Sequence, residues 1–201
     1  MRTVLFIGDS IMYGVEAKFL NGYGFYVREA LRRKAEVILP LDNCQDTRFT
    51  NSLLGELFEP GEPERADLIY WNNGLWDVLR FSGNPTPMVP IERYTSLLCS
   101  IYGKLRRMSP QAKIVFATST PIIEDRYPKG LYRLNSDIRE YNSAAKKLFE
   151  DKDVTVHDLY SVAESFPLEY RSDDATHFSE LGAKKLSEHV LAEIGRVLGE
   201  W

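Results

Sequence analysis

The chain has 201 residues, of which 44% are hydrophobic and 27% charged, and its formal net charge is −4. This size and composition predict a single globular domain over residues 1–201 and leave little room for a second one. The negative charge argues against a nucleic-acid partner, because phosphate binding needs a surplus of Lys and Arg.

Short apolar runs recur along the chain and predict five strands. In chain order they are Val4–Ile7, Val37–Leu39, Leu68–Trp71, Ile114–Ala117 and Val154–Val156. The runs are continuous rather than alternating, which is typical of strands covered on both faces, as in a parallel sheet.

Amphipathic helical patterns lie between these strands, with apolar residues spaced by three and four. A weak pattern contains Val27, Ala30 and Leu31, and three longer ones cover Ile91–Met108, Ile138–Leu148 and Leu181–Val197. Ser136 and Ser179 are the expected N-caps of the last two helices. Glu180 lies in the first turn of the final helix, where the helix dipole favours an anion.

The alternation of strand and helix predicts an α/β fold, a parallel sheet of about five strands with helices on both faces. The Pro/Gly-rich segment Phe81–Pro90 follows the third strand, and we expect a loop there because the sheet pattern resumes after it. In such folds, functional groups collect beyond the carboxyl ends of the strands.

Two further features bear on the compartment of the protein. Cys44 and Cys99 are too few for a disulfide framework and lack metal-ligand spacing, so we expect free thiols in a reducing compartment. The apolar run Val4–Ile7 is too short for a signal peptide or a membrane span. These observations predict a cytoplasmic protein with no membrane partner.

The first strand ends on Gly8, Asp9 and Ser10, at the edge of the sheet where sites form. Gly8 permits a tight turn or a close backbone approach. Ser10 lies near the start of the next segment, where free backbone N–H groups can face a developing anion. Its hydroxyl is a candidate nucleophile, and the alternative is a serine N-cap beside a turn aspartate.

A serine nucleophile requires a base, and the chain has three histidines. His189 lies in the polar part of the final helical pattern, and His157 ends the fifth strand. His177 follows Asp174 by three residues, a spacing that lets the carboxylate orient the imidazole in a compact turn. Asp173 is a weaker candidate for this role, and helix capping is the alternative for the whole segment.

These motifs resemble those of the SGNH hydrolases, also called GDSL-type esterases and lipases, over nearly the whole chain. Gly8-Asp9-Ser10-Ile11 resembles the first motif, with Ile in place of Leu, and Asp174-Ala175-Thr176-His177 resembles the last. The resemblance implies a flavodoxin-like, three-layer α/β/α fold. It also implies a triad of Ser10 as nucleophile, His177 as general base and then acid, and Asp174 as the orienting carboxylate.

The middle motifs of the family, which supply its oxyanion hole beside the nucleophile's own N–H, are altered in this chain. The backbone N–H of the second motif falls on Gln45 or, with a shift of one residue, on Cys44. Trp76 replaces the asparagine of the third motif. We expect the amide of Asn73 to replace that donor, ahead of Asn72 and of the Trp76 indole N–H.

The resemblance implies hydrolysis of an ester through an acyl-enzyme. The sequence has no long, continuous apolar lid, so we expect a short-chain ester, such as an acetyl ester of a carbohydrate or other small molecule. No cofactor or metal is expected. The sequence has no nucleotide-binding motif and no GxSxG elbow. The alternatives are a non-catalytic ligand- or partner-binding domain on the same fold and an acyltransferase or thioesterase.

Substrate contacts are expected from the loops that follow the strands. The candidate segments are Thr47–Phe58, Phe81–Pro90 and Asp125–Arg133. Asp9, Arg48 and Trp76 are the candidate substrate-binding residues. Arg126 is a further cation that can meet an anionic group.

Overall fold

The computed structural model describes residues 1–15 and 20–199. Its strands are β1 (Arg2–Ile7), β2 (Gly14–Val15), β3 (Leu20–Asn21), β4 (Ala35–Ile38), β5 (Leu68–Trp71), β6 (Arg80–Phe81), β7 (Lys113–Ala117), β8 (Leu131–Tyr132) and β9 (Thr155–His157). Its α-helices are α1 (Ser10–Tyr13), α2 (Tyr23–Leu31), α3 (Thr47–Leu53), α4 (Ile91–Met108), α5 (Asn135–Phe149), α6 (Leu159–Glu164) and α7 (Glu180–Leu198).

The core of the fold is a parallel sheet with the strand order β4-β1-β5-β7-β9. The strand order reverses direction at β1, which is the switch point of flavodoxin-like sheets, where ligands bind beyond the strand ends. Ile7 at the end of β1 lies in register with Trp71 at the end of β5. The predicted α/β fold is confirmed, and the strand boundaries move by one or two residues, as expected for pattern-based bounds.

Helices cover the sheet in two layers. α2 contacts α7, whereas α4 contacts both α3 and α5. All four residues of β5 are buried, in agreement with a strand that is covered on both faces. The arrangement is therefore the expected three-layer α/β/α fold.

The N-cap of α5 differs from the prediction. The helix begins at Asn135, with Leu134 in the cap position, and not after Ser136. The Asn135 side chain pairs with the backbone of Ile122, accepting from its N–H and donating to its carbonyl at 3.0 Å each. This tertiary contact fixes the chain at Asn135, so the helix starts earlier than its capping pattern suggests.

A small antiparallel ladder covers part of the carboxyl end of the sheet. β6 pairs with β8, with Arg80 opposite Tyr132 and Phe81 opposite Leu131. The segments Phe81–Pro90 and Asp125–Arg133, both expected to be loops, are thereby joined. Arg133 directly follows β8, and its Nε donates to the carbonyl of Leu75, four residues after β5.

Two further predictions concern thiols and membranes. Neither cysteine forms a disulfide: Cys44 is buried and Cys99 is exposed. No helix within residues 1–15 and 20–199 combines the length and the apolar character needed to cross a bilayer.

Candidate active site

Ser10 is positioned by an abrupt turn from β1 into α1. Asp9 caps the helix: its Oδ1 accepts from the Ile11 N–H at 3.0 Å, and its carbonyl accepts from the Met12 and Tyr13 N–H groups. A Cβ on Gly8 would lie 2.8 Å from the Met12 Cβ, so only glycine fits at the end of the strand. Ser10 is thus the first helical residue.

Ser10, His177 and Asp174 form a hydrogen-bonded row, which we call the catalytic row. The Ser10 Oγ lies 2.8 Å from the His177 Nε2, and the His177 Nδ1 lies 2.8 Å from the Asp174 Oδ2. An ionised carboxylate only accepts hydrogen bonds, so the proton lies on Nδ1 and Nε2 accepts from the serine hydroxyl. The arrangement can transfer a proton from Ser10 to His177.

The spacing of three residues between Asp174 and His177 has a local cause. The Asp174 Oδ1 accepts from the backbone N–H groups of Thr176 at 2.8 Å and His177 at 2.7 Å. This tight turn leaves Oδ2 for the imidazole. Asp173 is exposed, and the carboxylate that bonds His177 is that of Asp174.

The loop that carries His177 is fixed to the fold on both sides. The Ser172 N–H donates to the His177 carbonyl at 3.0 Å, and the Ile123 N–H donates to the Ala175 carbonyl at 2.8 Å. The Ser179 Oγ caps α7 by accepting from the Gly182 N–H at 3.2 Å, as predicted. These bonds hold the imidazole over the start of α1.

The other two histidines lie outside the row. The His157 Nδ1 lies 2.6 Å from the Tyr70 hydroxyl, and burial lowers the pKa of His157. The His189 ring is half-buried, 6.5 Å from the Phe166 ring. Both side chains are accounted for by packing.

Asp9 does not face the substrate side, contrary to the prediction. Its side chain is 1% exposed, and Oδ2 has no hydrogen-bond partner in the described part of the chain. Burial raises the pKa of Asp9, opposed by the Ile11 N–H and by the charges of Arg133 and His177. The residue caps α1, and a role in substrate binding is not supported.

The backbone donors of the predicted oxyanion hole differ in their availability. The Ser10 N–H makes no hydrogen bond to any residue that the structure describes. The Gln45 N–H donates to the Asn43 Oδ1 at 2.9 Å, and Gln45 has a left-handed φ of 48°. The Cys44 N–H donates to the Gly8 carbonyl at 3.1 Å. Because the Cys44 N–H already bonds another backbone group, it is not available as the second-motif donor in place of Gln45.

The Asn73 side chain, which was the preferred candidate for the third donor, is fully engaged in other hydrogen bonds. Its Nδ2 donates to the Thr50 Oγ1 at 2.9 Å and to the Gln45 carbonyl at 3.1 Å. Its Oδ1 accepts from the Trp71 indole at 2.7 Å. Asn73 is fully buried and ties the end of β5 to the Gln45 loop.

Of the other two donors considered, Trp76 is the better placed. The Asn72 Nδ2 donates to the Ala117 carbonyl at 2.8 Å, inside the fold. Trp76 is half-buried, lines the same cleft as Ser10, and donates no hydrogen bond from its indole N–H within the described residues. The Trp76 indole N–H therefore stays a candidate for the third-motif donor, because it is the one of the three side chains that also lines the Ser10 cleft.

Asp77 supports the loop that carries Gln45. It is fully buried, and its carboxylate accepts from both the N–H and the hydroxyl of Thr47, the first residue of α3. Burial raises the pKa of Asp77 from 3.8 to about 7, although the Thr47 bonds favour the ionised form.

The cleft beside Ser10, hereafter the Ser10 cleft, has a volume of about 300 Å³. Besides the catalytic row, its walls include Leu75, Trp76, Leu79, Leu131, Arg126 and Arg133. Among the described residues, the predicted wall segments 47–58 and 81–90 contribute no lining side chain. The segment 125–133 is the predicted wall that does line it.

The arginines around the site are not arranged as predicted. Arg48 does not line the Ser10 cleft, because its guanidinium forms a two-point pair with Asp46, the N-cap of α3. Arg126 lines the cleft, as expected. Arg133 also lines it and was not predicted as an individual residue, since only its place in an aromatic- and arginine-rich loop pointed to it.

No group of three or more metal-binding side chains occurs in the described ranges.

Comparison with protein families yields one match over most of the chain. The model of the GDSL-like lipase/acylhydrolase family matches residues 6–185. The chain is 28% identical over 204 residues to GDSL esterase/lipase WDL1 of Oryza sativa subsp. japonica, covering 94% of this chain and 75% of the relative.

A mammalian relative and a solved structure extend this likeness. The isoamyl acetate-hydrolyzing esterase 1 homolog of Mus musculus is 28% identical over 193 residues, covering 89% of this chain and 76% of the relative. The crystal structure of a lipase/acylhydrolase from Enterococcus faecalis matches with a TM-score of 0.75 and 20% identity, covering 98% and 97% of the two chains.

Proposed function

The chain belongs to the GDSL-like lipase/acylhydrolase family and is a carboxylic ester hydrolase, and from this premise we propose that it cleaves a short-chain ester through Ser10, His177 and Asp174. The observation that carries the proposal is the unbroken row of hydrogen bonds from the Ser10 hydroxyl through His177 to Asp174, with both distances at 2.8 Å.

In the first step, the Ser10 Oγ attacks the ester carbonyl carbon while its proton passes to the His177 Nε2. The bond that forms is Oγ–C, and the carbonyl electron pair moves onto the oxygen. The Asp174 carboxylate, bonded to the Nδ1–H, stabilises the imidazolium and keeps Nε2 directed at Ser10.

The negative oxygen of the tetrahedral intermediate needs donors that are fixed before the reaction. The Ser10 N–H is uncommitted at the start of α1, where the helix dipole also favours an anion. The Gln45 N–H becomes a second donor when the Asn43 oxygen gives way, and the Trp76 indole N–H is the third. Each such donor typically contributes a hundredfold or more to the rate.

Collapse of the intermediate breaks the bond to the alcohol oxygen, which takes the proton from the His177 Nε2. Ser10 is left as an acyl ester. Water then gives a proton to the same nitrogen as its oxygen attacks the acyl carbon. The Oγ–C bond breaks as Nε2 returns that proton to Oγ, which releases the acid and restores the serine hydroxyl.

An acetyl group is the proposed acyl part, on a carbohydrate or another small molecule. The Ser10 cleft, at about 300 Å³, lies at the small end of ligand pockets. A relative is named as an isoamyl acetate-hydrolyzing esterase homolog, which fits acetyl transfer to water.

The deciding experiment compares hydrolysis of p-nitrophenyl acetate and labelling by a fluorophosphonate in the native protein, Ser10→Ala and Ser165→Ala. Ser165 is exposed and lies outside the cleft, so its variant controls for serine removal. We expect Ser10→Ala to lose labelling and at least a thousandfold in kcat. Equal rates in all three proteins would favour a non-catalytic binding role, and product transfer to an added alcohol would favour an acyltransferase.

A further inference from the structure

We propose that the Ser10 cleft selects esters that carry an anionic group, a carboxylate above all, and that Arg133 binds this group. The inference rests on the function proposed above and specifies its substrate class. It is carried by a buried guanidinium whose remaining donors have no partner in the described chain.

Arg133 is held rigidly at the wall of the cleft. It is only 8% exposed, although its side chain is charged. Its Nε donates to the Leu75 carbonyl, and its Nη1 donates to the Tyr127 hydroxyl at 2.6 Å. The guanidinium carbon also lies 5.7 Å from the centre of the Tyr127 ring. The orientation of the group is thus fixed before any ligand arrives.

Two of its five N–H donors are used in this way, and three remain, including both on Nη2. No carboxylate lies within ion-pair distance of Arg133 among residues 1–15 and 20–199. An anionic group on a ligand would supply the acceptor that these remaining donors lack. The free edge of the guanidinium suits the two oxygens of a carboxylate.

Other arginines show how this fold ordinarily satisfies a partly buried guanidinium. The Arg80 Nε pairs with the Asp137 carboxylate at 2.8 Å. Arg171 has no carboxylate, but both of its Nη atoms donate to backbone carbonyls, and it stacks on Phe178 at 4.4 Å. Arg133 differs from both because its Nη2 is unused at the wall of the cleft.

The acidic groups near the site are engaged elsewhere. Asp174 belongs to the catalytic row. The positive charge of Arg133 lowers the pKa of Asp9 against the effect of burial, but no hydrogen bond joins the two side chains in the described part of the chain. The alternative is that Arg133 serves only to stabilise the negative charge of Asp9 from a distance. The experiment must separate this role from the binding of a ligand anion.

The rest of the cleft fits a small ester with one anionic end. Trp76, Leu79 and Leu131 supply apolar walls. Arg126 adds an exposed cation at the same cleft, which raises the local concentration of anions despite the net charge of −4.

The test uses two matched pairs of esters that differ in one carboxylate. The pair 4-acetoxybenzoate and methyl 4-acetoxybenzoate places the charge on the leaving group. The pair monoethyl glutarate and ethyl valerate places it on the acyl group. For each pair we measure the ratio of kcat/KM, anionic over neutral, in the native protein, Arg133→Met, Arg133→Lys and Arg65→Met. Arg65 is an exposed arginine paired with Glu36 outside the cleft, so its variant is the control.

In the native protein, we expect kcat/KM for the anionic ester to be about tenfold higher than for the neutral ester, for at least one pair. Arg133→Met should lower that ratio at least tenfold, Arg133→Lys should lower it less, and Arg65→Met should leave it unchanged. A purely structural role would reduce both members of a pair by the same factor. An unchanged ratio in Arg133→Met therefore overturns the inference while leaving ester hydrolysis intact.

A binding measurement keeps the inference testable if no ester is turned over. Calorimetry on Ser10→Ala and on the Ser10→Ala/Arg133→Met double variant would compare 4-acetoxybenzoate with its methyl ester. Tighter binding of the anion, lost in the double variant, supports the site even without catalysis. Equal binding of the two compounds to Ser10→Ala overturns it.

Discussion

The side-chain oxygen of Asn43 accepts a hydrogen bond from the backbone N–H of Gln45 at 2.9 Å. The bond belongs to a turn in which Gln45 takes a left-handed φ of 48°, a conformation uncommon for a residue with a side chain. The same N–H is a proposed oxyanion donor. In the proposed mechanism, the reacting oxygen therefore displaces the Asn43 oxygen from this N–H.

Asn43→Asp is expected to lower kcat at least tenfold with little change in thermal stability. The carboxylate would hold the Gln45 N–H more tightly and would place a negative charge where the oxyanion forms. Leu41→Asp adds the same charge at an exposed position two residues away and serves as the control. Steady-state kinetics with p-nitrophenyl acetate check the prediction, and equal rates in both variants would contradict it.

Substitutions at Trp76 and Asn73 should affect different properties: the first should lower kcat, and the second should lower stability. Trp76→Phe keeps the ring but loses the N–H, so kcat should fall by about tenfold to a thousandfold while the midpoint of unfolding stays near native. Asn73→Ala removes three buried hydrogen bonds and should cost about 3 kcal/mol of stability. Denaturant unfolding and kinetics on both variants check this. A normal kcat in Trp76→Phe would exclude the indole as a donor.

Asp174→Asn is expected to reduce kcat by about a thousandfold to ten-thousandfold. The amide can still accept from the backbone at Thr176 and His177, so the turn should survive. It no longer favours a proton on the His177 Nδ1 when its NH₂ group faces the ring, and Nε2 then stops acting as a base. Asp173→Asn changes the charge of the exposed neighbour and should retain native turnover.

Asp77 makes stability depend on pH between about 4 and 7. Its folded pKa of about 7 lies above its ordinary 3.8, so the folded state binds the proton more strongly and loses stability as pH rises through this window. In Asp77→Asn that loss is absent. The stability of the native protein relative to the variant should fall by up to about 1.4 kcal/mol per pH unit and level off above about pH 7. Urea unfolding of both proteins at pH 4.5, 6 and 7.5 measures the difference, and a constant difference would refute the assignment.

Much of the fold follows from local patterns. The five buried runs and the long helices are visible because apolar spacing reports which face is covered. Short helices such as α3 and α6 contain too few residues to show the helical spacing of apolar side chains. The start of α5 was also misplaced, because it depends on the contact of Asn135 with Ile122, which the capping pattern does not contain.

The site divides in the same way. Ser10, Asp174 and His177 stand in short local motifs, and each motif also folds as a local turn. The surroundings of Asn73 and Asp9 could not be predicted, because partners from distant segments decide them. Thr50 and Gln45 accept both hydrogen bonds of the Asn73 amide group, and Asp9 is buried beside α1. Arg133 had no distinguishing pattern, since its isolation from carboxylates exists only in three dimensions.

The catalytic row joins residues that are 167 positions apart, one just after the first strand and one just before the last helix. A ribosome therefore exposes the serine long before the imidazole leaves the exit tunnel. Nascent chains and fragments that end before His177 would hold an unactivated hydroxyl, so esterase turnover would report on molecules whose two ends have come together.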